Sequence, residues 1–478
     1  MEKYSDKWIW NEEYDCWCLE NILYTAVPTT PEFQQLSIFV PGKLVNEDGS
    51  FKEEAKNAPV VFANNAAGYR QMPHVRLGDP RCSAQQYMEH GLIYVTAGCR
   101  GRESVDASGK LIKGPCSLVD LKTAIRFLRH NRAVLPGDWD RIISVGWSAG
   151  GACSTLLAVT GNNRNYLPYL EANGAYMDER DDVFAAQIYC PIVDLEHADI
   201  AYEWMFGADK ECEDSHAGAA ETMTPFKEAL SKVLAQYYVA YFNSLELHDP
   251  DTGEILRLGE DGRSGSGYAY LMNCLNQSAT DYFTRLLEGK LSQQHTVEAY
   301  LNTKPWLTWD GKRAQISDLD TYVLNHRRRM KPCTSFDKLE MDSGENQLFG
   351  TPENDYVHFA PQIADAIQTL KDDYPEEYAR YYPVYRSMET DSALAERVRL
   401  LNPLSFIGTA EKSNQAKYYR IRVGGSDADT SLSVSMMLAL KLQDAKCGNV
   451  DYALVWDQPH SQADYPGEIL EWIDSIYK

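Results

Sequence analysis

The sequence predicts an α/β fold in which a mostly parallel sheet is interrupted by a large helical insertion. Up to about residue 195, short apolar runs alternate with helical patterns. From about residue 196 to 400 the pattern is mainly helical, and the alternation then resumes. The 478 residues are enough for one large core with an insertion. We therefore expect residues 1–195 and 401–478 to form one doubly wound core, and residues 196–400 to form an inserted domain.

Five strands are predicted in the first half of the core, at residues 36–40, 59–63, 91–95, 142–145 and 184–188. The run at 59–63 is continuously apolar, which is typical of a strand covered on both faces. A helix is predicted over 117–131, because apolar residues recur there at spacings of three and four. These residues are Leu118, Leu121, Ala124, Ile125 and Leu128.

The second half of the core shows the same alternation of strands and helices. It consists of a predicted strand at 418–423, a helix near 430–446, a strand at 452–456 and a last helix over about 466–477. Because strand and helix alternate on both sides of the insertion, one sheet shared by both halves is the simplest interpretation.

Composition excludes several classes of protein. The chain is 44% hydrophobic and 24% charged, which argues against extensive disorder. With 46 basic and 69 acidic residues the formal net charge is −23, so a general nucleic-acid binder or a protein of anionic membrane surfaces is not expected. A local basic pocket is compatible with this charge.

The cysteines and the N-terminus indicate a reduced, cytoplasmic protein. Eleven cysteines, an odd number, are scattered along the chain, so a disulfide scaffold is not expected. Cys16-Trp17-Cys18 has no second cluster with which to build a zinc site. The first residues contain no apolar signal region, and no run of 18 apolar residues predicts a membrane span. We expect no metal and no cofactor.

The motif that carries chemistry is Gly146-Trp147-Ser148-Ala149-Gly150-Gly151. It follows a predicted buried strand and opens a helix of small residues, the context of a nucleophile elbow. Such an elbow exposes the hydroxyl of Ser148 and leaves the N–H of Ala149 at a helix start, where an oxyanion would form. The alternative is a glycine-rich turn that packs a helix closely against a strand. A second oxyanion donor is expected after the strand at 59–63, from the N–H of Ala66 or Ala67.

A serine nucleophile needs a base and an acid, which follow it in the order acid and then histidine in this kind of fold. Of the seven histidines after Ser148, only His460 comes after the last predicted strand; the others are His197, His216, His248, His295, His326 and His358. Asp427 is the favoured acid, in the loop after the strand at 418–423. Asp429 and Asp457 are rivals, and an aspartate in such a loop can simply form a turn or a helix cap. The Asp427–Asp429 pair could also hold a divalent metal, but no further motif supports that.

Taken together, these motifs resemble the α/β-hydrolase superfamily, and more narrowly the bacterial tannases of subtype B and related carboxylesterases. Beyond the elbow, the resemblance is carried by five stretches: Asn64–Tyr69, Lys331-Pro332, Glu345-Asn346-Gln347-Leu348-Phe349-Gly350, Asp427-Ala428-Asp429-Thr430-Ser431, and His460 through Gly467. The resemblance implies an α/β-hydrolase fold. Because the insertion leaves the core after a strand and returns before the expected triad acid, we expect it to act as a cap or lid over the active site.

The resemblance also implies site residues and a substrate. The first aspartate of the pair, Asp427, would belong to the triad, and Asp429, Lys331 and Glu345 would contact the hydroxyls of a galloyl ring. Phenolic O–H donors suit carboxylate acceptors. Lys338 is a rival for Lys331, and Lys331 and Glu345 could instead lie on a solvated surface.

The expected function is a serine esterase for small aromatic esters, with gallates as the favoured acyl group. The alternatives are an esterase for hydroxycinnamoyl or other acyl groups, a serine peptidase, and a binding protein that kept the fold but lost turnover. A serine peptidase is disfavoured because the chain lacks propeller repeats. The complete order of serine, aspartate and histidine argues against a pure binding protein.

Overall fold

A nine-stranded sheet organises the chain in the computed structural model, which describes residues 4, 7–214, 219–292, 295–388 and 391–477. Its strands are β1 (Ile9–Asn11), β2 (Cys16–Leu23), β3 (Gln35–Pro41), β4 (Val60–Asn64), β5 (Ile93–Ala97), β6 (Ile142–Trp147), β7 (Ala185–Tyr189), β12 (Tyr418–Gly424) and β13 (Asn449–Val455). Two further pairs, β8 (Glu211–Asp214) with β9 (Ala219–Thr222) and β10 (Leu307–Trp309) with β11 (Ala314–Ile316), lie between β7 and β12.

The sheet is mostly parallel. Its spatial order is β1-β2-β3-β5-β4-β6-β7-β12-β13, and all neighbours from β5 to β13 run parallel. The first three strands are antiparallel to their neighbours. Every strand predicted from the sequence is present, with bounds shifted by three residues or fewer. Because β7 pairs with β12 despite the long stretch of chain between them, the two halves share one sheet.

The N-terminal strands β1, of three residues, and β2, of eight residues, were not predicted. In β2, Cys16 and Cys18 point to the same face and are buried, with their sulfur atoms 3.7 Å apart. These cysteines therefore act as small apolar side chains on one sheet face.

The helices that precede the long connection are α1 (Ala84–Glu89), α2 (Cys116–His130), α3 (Ala149–Val159) and α4 (Leu167–Ala172). After β12 come α14 (Leu432–Asp444) and α15 (Glu468–Ile476). Residues that alternate along a strand enter two separate apolar clusters, for example Val60 and Phe62 in one and Val61 in the other. Both faces of the sheet are therefore covered, as its apolar strands require.

The chain between β7 and β12 is mainly helical. It contains α5 (Leu195–Phe206), α6 (Pro225–Ser244), α7 (Ser266–Leu287), α8 (Val297–Leu301), α9 (Leu319–Asn325), α10 (Gly344–Leu348), α11 (Pro361–Thr369), α12 (Pro375–Met388) and α13 (Ser392–Leu401). Its buried side chains join the larger of the two apolar clusters. Among the helices of the described ranges, none combines the length and apolar character needed to cross a bilayer.

Candidate active site

The turn between β6 and α3 holds Ser148 in a strained backbone conformation. Its φ is 62° and its ψ is −128°, and its N–H donates to the carbonyl of Tyr189 at 3.0 Å. A Cβ atom on Gly146 would overlap the carbonyl oxygen of Gly150, and one on Gly150 would lie 2.6 Å from Oδ1 of Asn64. Only glycine fits at position 146, where the clash is with backbone, and a larger residue at 150 would have to displace Asn64, so small residues let the strand turn sharply into the helix.

Three side chains that are far apart in sequence meet above this turn. Nε2 of His460 lies 2.8 Å from Oγ of Ser148, and Nδ1 of His460 lies 2.8 Å from Oδ2 of Asp427. The side chain of Asp427 is fully buried, and that of His460 is 13% exposed. The second carboxylate oxygen of Asp427 accepts the N–H of Asp429 at 2.8 Å. Such a chain of contacts can remove the proton from a serine hydroxyl.

The two rival acids occupy different places. Oδ2 of Asp429 is 3.9 Å from Nδ1 of His460, more than 1 Å farther than Asp427. Asp457 instead accepts a hydrogen bond from the hydroxyl of Tyr300 at 2.7 Å and lies 3.4 Å from Nε2 of His326. Asp427 is therefore the aspartate that lies within hydrogen-bond distance of the imidazole of His460.

The other histidines have partners of their own. His197 is paired with Asp194, His248 with Asp444, His295 with Tyr282 and His358 with Asp337. His216 lies outside the described residues.

The environment of His460 sets its basicity. Burial lowers the pKa of His460, but the adjacent carboxylate of Asp427, helped by Asp429, raises it, and the net pKa is above the usual value. Lys331 opposes this rise. A base with a raised pKa removes a serine proton more readily, but it becomes protonated at a higher pH.

The candidate oxyanion donors lie beside the serine. Ala149 is the first residue of α3, and Ala67 is the first residue of a short 3-10 turn, Ala67–Tyr69. The first N–H groups of a helix have no acceptor within that helix. Both residues line a cavity that also contains Ser148 and His460. Ala66, the alternative donor, does not line it.

This cavity, of about 840 Å³, brings together every residue predicted to contact a ring. Lys331, Lys338, Glu345 and Asp429 all line it, together with Ser148. It is rich in cations although the chain carries a net charge of −23. The basic residues of its lining are Arg70, Arg102, Arg327, Lys331 and Lys338. Since its acidic lining residues are only Asp342, Glu345 and Asp429, basic side chains are in excess here although the whole chain is acidic.

The two candidate lysines differ in their surroundings. Nζ of Lys338 lies 4.0 Å from a carboxylate oxygen of Asp342. Nζ of Lys331 sits over the ring of Phe336, 3.8 Å from its centre, and no carboxylate of the described chain lies within ion-pair distance. The ammonium group of Lys331 is therefore the more available for a ligand.

Glu345 is placed by the start of α10. Ser343 caps this helix in a reciprocal arrangement: its hydroxyl accepts the N–H of Asn346 at 2.9 Å, and Oδ1 of Asn346 accepts the N–H of Ser343 at 3.2 Å. Asn346 also donates to Asp337 at 2.7 Å, which fixes the helix on the neighbouring loop. The capped start of α10 therefore holds Glu345 at the cavity wall.

Tyr202, on α5, was not predicted. Its buried hydroxyl donates to the carbonyl of Ala428 at 3.0 Å and accepts the N–H groups of Met330 and Lys331 at 3.1 and 3.0 Å. It thus links the loop of Asp427 and Asp429 to the segment of Lys331. The sequence carries no signal for it, since one tyrosine in an apolar helix resembles any core residue.

Cys190 is a second unpredicted neighbour. Its sulfur accepts the N–H of Gly424 at 3.4 Å and lies within 4.8 Å of ligand atoms of Asp427 and His460. Burial and the carboxylate of Asp427 raise the pKa of the Cys190 thiol well above its usual value. Metals bind the thiolate form of cysteine, which a raised pKa disfavours. These residues are therefore better suited to the hydrogen-bonded relay of Ser148, His460 and Asp427 than to a metal site.

Two aromatic residues at α9, Tyr322 and His326, contact the chain next to Asp427 and His460. The hydroxyl of Tyr322 donates to the carbonyl of Gly425, and Nε2 of His326 lies 2.9 Å from the hydroxyl of Ser426. The ring of His326 stacks on Trp456, with centres 4.9 Å apart. Burial lowers the pKa of His326 to about 4, so the ring is neutral at ordinary pH.

Solved structures of known proteins share this fold over nearly the whole chain. A BD-FAE family model matches residues 107–224. A tannin acyl hydrolase from Lactobacillus plantarum is 34% identical over 97% of this chain and 94% of its own, with a TM-score of 0.81. A Fusobacterium nucleatum tannase is 33% identical over 97% and 95%, also with a TM-score of 0.81. A search of curated protein sequences finds no match.

A further solved structure, a tannin acyl hydrolase in complex with ethyl gallate, is 33% identical over 97% of this chain and 94% of its own, with a TM-score of 0.80. Fold and similarity together define a carboxylic ester hydrolase of the α/β-hydrolase class. Within that class, the chain belongs to the tannase family. The family resemblance inferred from the sequence is thereby confirmed.

Proposed function

We propose that the protein hydrolyses esters of phenolic acids, gallates above all, through a covalent acyl-serine intermediate. The observation that carries this proposal is that the Ser148–His460–Asp427 relay opens onto the cavity lined by Lys331, Glu345 and Asp429. A tannin acyl hydrolase of the same fold was solved with ethyl gallate, and another with 3,4-dihydroxybenzoate.

In this mechanism, Oγ of Ser148 attacks the ester carbonyl while Nε2 of His460 takes its proton. Asp427 holds the imidazole in the required tautomer and stabilises its charged form. The N–H groups of Ala149 and Ala67 stabilise the oxyanion, each by about 3 kcal/mol. His460 then protonates the leaving alcohol, and water activated by the same base releases the acid and restores Ser148.

Ring recognition follows from the charges of the cavity. Glu345 and Asp429 would accept hydrogen bonds from phenolic hydroxyls, and the ammonium of Lys331 would stabilise negative charge on a phenolic oxygen. A ring without hydroxyls would leave these charged groups unpaired in a cavity from which the substrate displaces water. The free-energy cost of these unpaired charges would lower kcat/KM for esters without ring hydroxyls, so the cavity would discriminate strongly between substrates.

The inserted residues 196–400 would act as a cap that supplies Lys331 and Glu345, while the core at 1–195 and 401–478 supplies the relay and Asp429. Tyr202 and the aromatic group around His326 support this division, because they bind the cap to the loops of the relay. Substrate selectivity would then reside mainly in the cap and the reaction in the core.

The test compares wild type with Ser148→Ala and Lys331→Met on methyl gallate, methyl ferulate and methyl benzoate. We expect Ser148→Ala to lower kcat by about 10⁶-fold on all three esters. Lys331→Met should lower kcat/KM for methyl gallate by about 10²-fold and for methyl benzoate far less, since only the first ring carries hydroxyls. Lys338→Met is the matched control. Activity that survives Ser148→Ala would refute the nucleophile, and a wild type that prefers methyl ferulate would refute the gallate assignment.

A further inference from the structure

A cavity of about 280 Å³ lies among helices of the insertion. Its walls come from α5, α11, α12 and α13 and from the chain just before α11. Most of its lining side chains are apolar, for example Phe359, Leu394 and Val398. Of the described residues, none lines both this cavity and the catalytic one. Its volume is close to the lower limit for small-molecule sites, about 300 Å³, so it suits a small ligand with an apolar body.

A buried imidazole lines this cavity. His358 is 3% exposed, its Nδ1 lies 2.6 Å from Oδ1 of Asp337, and its ring stacks on that of Tyr385 with centres 3.5 Å apart. Its Nε2 meets no hydrogen-bond partner in the described parts of the chain. Because the carboxylate of Asp337 takes the proton of Nδ1, the neutral ring keeps an unused acceptor at Nε2.

Two carboxylates line the same cavity. Oε1 of Glu196 accepts a hydrogen bond from the amide of Asn402 at 2.8 Å, and Oδ1 of Asp391 accepts the N–H groups of Ala393 and Leu394. The other oxygen of each carboxylate finds no donor within the described ranges, where no lysine or arginine lines the cavity either. Burial raises the pKa of Glu196, and a cation bound beside it would favour the ionised form.

We propose that this cavity binds a primary amine with a small apolar body. A primary ammonium has three N–H donors and no acceptor, and the cavity offers acceptors on Glu196, His358 and Asp391. The two carboxylates would balance the charge of the ammonium, in a chain whose net charge of −23 attracts cations in general. The apolar body would pack against Phe359 and Leu394. A carboxylic acid of the same size would be repelled, and an alcohol would lack the charge.

The test is calorimetric titration of the full chain with three probes of similar size: phenethylamine, 2-phenylethanol and phenylacetate. All have a phenyl body, and they differ in the end group, which is an ammonium, a hydroxyl or a carboxylate. We expect phenethylamine to bind with a Kd of about 1 mM or below. The alcohol should bind about tenfold more weakly or worse, since it lacks the charge-assisted hydrogen bonds, and the carboxylate should not bind.

Two variants locate the site. Glu196→Gln removes one charge and should weaken the binding of phenethylamine by about tenfold. Ala395→Phe fills the cavity from an exposed position of α13 and should abolish binding. Ala393→Phe is the matched control, because this alanine is exposed on the same helix but outside the cavity lining, and the affinity should not change.

The absence of phenethylamine binding up to about 10 mM, or equal binding of phenethylamine and 2-phenylethanol, would overturn the proposal. Unchanged affinity in both Glu196→Gln and Ala395→Phe would do the same. Competition between phenethylamine and 3,4-dihydroxybenzoate would place the amine in the catalytic cavity and would also overturn it. If circular dichroism shows that Ala395→Phe does not fold, Glu196→Gln decides. None of these outcomes depends on whether the protein cleaves methyl gallate.

Discussion

At the scale of single residues, the site depends on a few distances around one imidazole. His460 lies 2.8 Å from both Ser148 and Asp427, and its pKa is the balance between burial, which lowers it, and carboxylates, which raise it. Since the base must be neutral to accept the serine proton, activity should fall as the pH drops through this raised pKa.

Asp427→Asn tests this balance. The substitution removes the carboxylate that raises the pKa of His460, so the acidic limb of the kcat/KM profile should move to lower pH. The amide also favours the wrong tautomer, and kcat should fall by about 10³- to 10⁴-fold. The measurement is a pH profile on methyl gallate, with Asp457→Asn as the control because Asp457 contacts Tyr300 instead. An acidic limb that stays in place would contradict this role for Asp427.

At the scale of elements, helices between β7 and β12 hold the loop that follows β12. Tyr202 on α5 connects Ala428, between the two aspartates, with the backbone of Lys331. Tyr322 and His326, at the end of α9, hold Gly425 and Ser426. The loop that carries Asp427 is therefore held by segments that contain neither Ser148 nor His460.

Tyr202→Phe removes the hydroxyl that forms three of these hydrogen bonds. Two partly buried N–H groups and a carbonyl lose their partner, so the free energy of unfolding should fall by about 1–3 kcal/mol. Because Lys331 and Asp429 lose a common anchor, KM for methyl gallate should rise by a larger factor than kcat falls. Tyr238→Phe is the control, since this buried hydroxyl donates to the sulfur of Met437 on α14 and not to the loop of Ala428. Equal effects of both variants on KM would refute a positioning role.

Features of the fold and site could be predicted from the sequence where they depend on residues close together in the chain, and not where they depend on distant ones. The strands at 60–64 and 142–147 and the elbow at Ser148 follow from local patterns of apolar residues and glycines. The hydroxyl of Tyr202 acts across 226 positions, to Ala428, and no local pattern marks it. The N-terminal strands β1 and β2 were also not predicted, because β1 has only three residues and the apolar residues of β2 do not alternate regularly with polar ones.

At the scale of the whole molecule, sheet and insertion share one apolar core. Ile188 of the sheet, Leu275 of α7 and Val423 of β12 belong to the same buried cluster. We therefore expect the insertion and the core to unfold together, although the chain order separates them.

Leu275→Ala tests whether the insertion and the core unfold together. Leu275 is completely buried in the insertion, and its truncation should lower the free energy of unfolding by about 2–5 kcal/mol. In calorimetry the melting temperature of a single transition should fall. Leu287→Ala, at an exposed position of the same helix, should change it little. Two transitions of which only one moves would show that the insertion folds independently.

The sequence by itself determined the alternation of strands and helices, the turn at Ser148 and the choice of His460 from its place in the chain, because these rest on neighbouring residues and on chain order. Only the tertiary structure decided which aspartate contacts the imidazole of His460 and which lysine of the cavity has no carboxylate within ion-pair distance. It also decided that a second cavity forms within the insertion, beside His358. Those outcomes depend on side-chain directions and on packing between segments hundreds of residues apart, for which a sequence contains no local pattern.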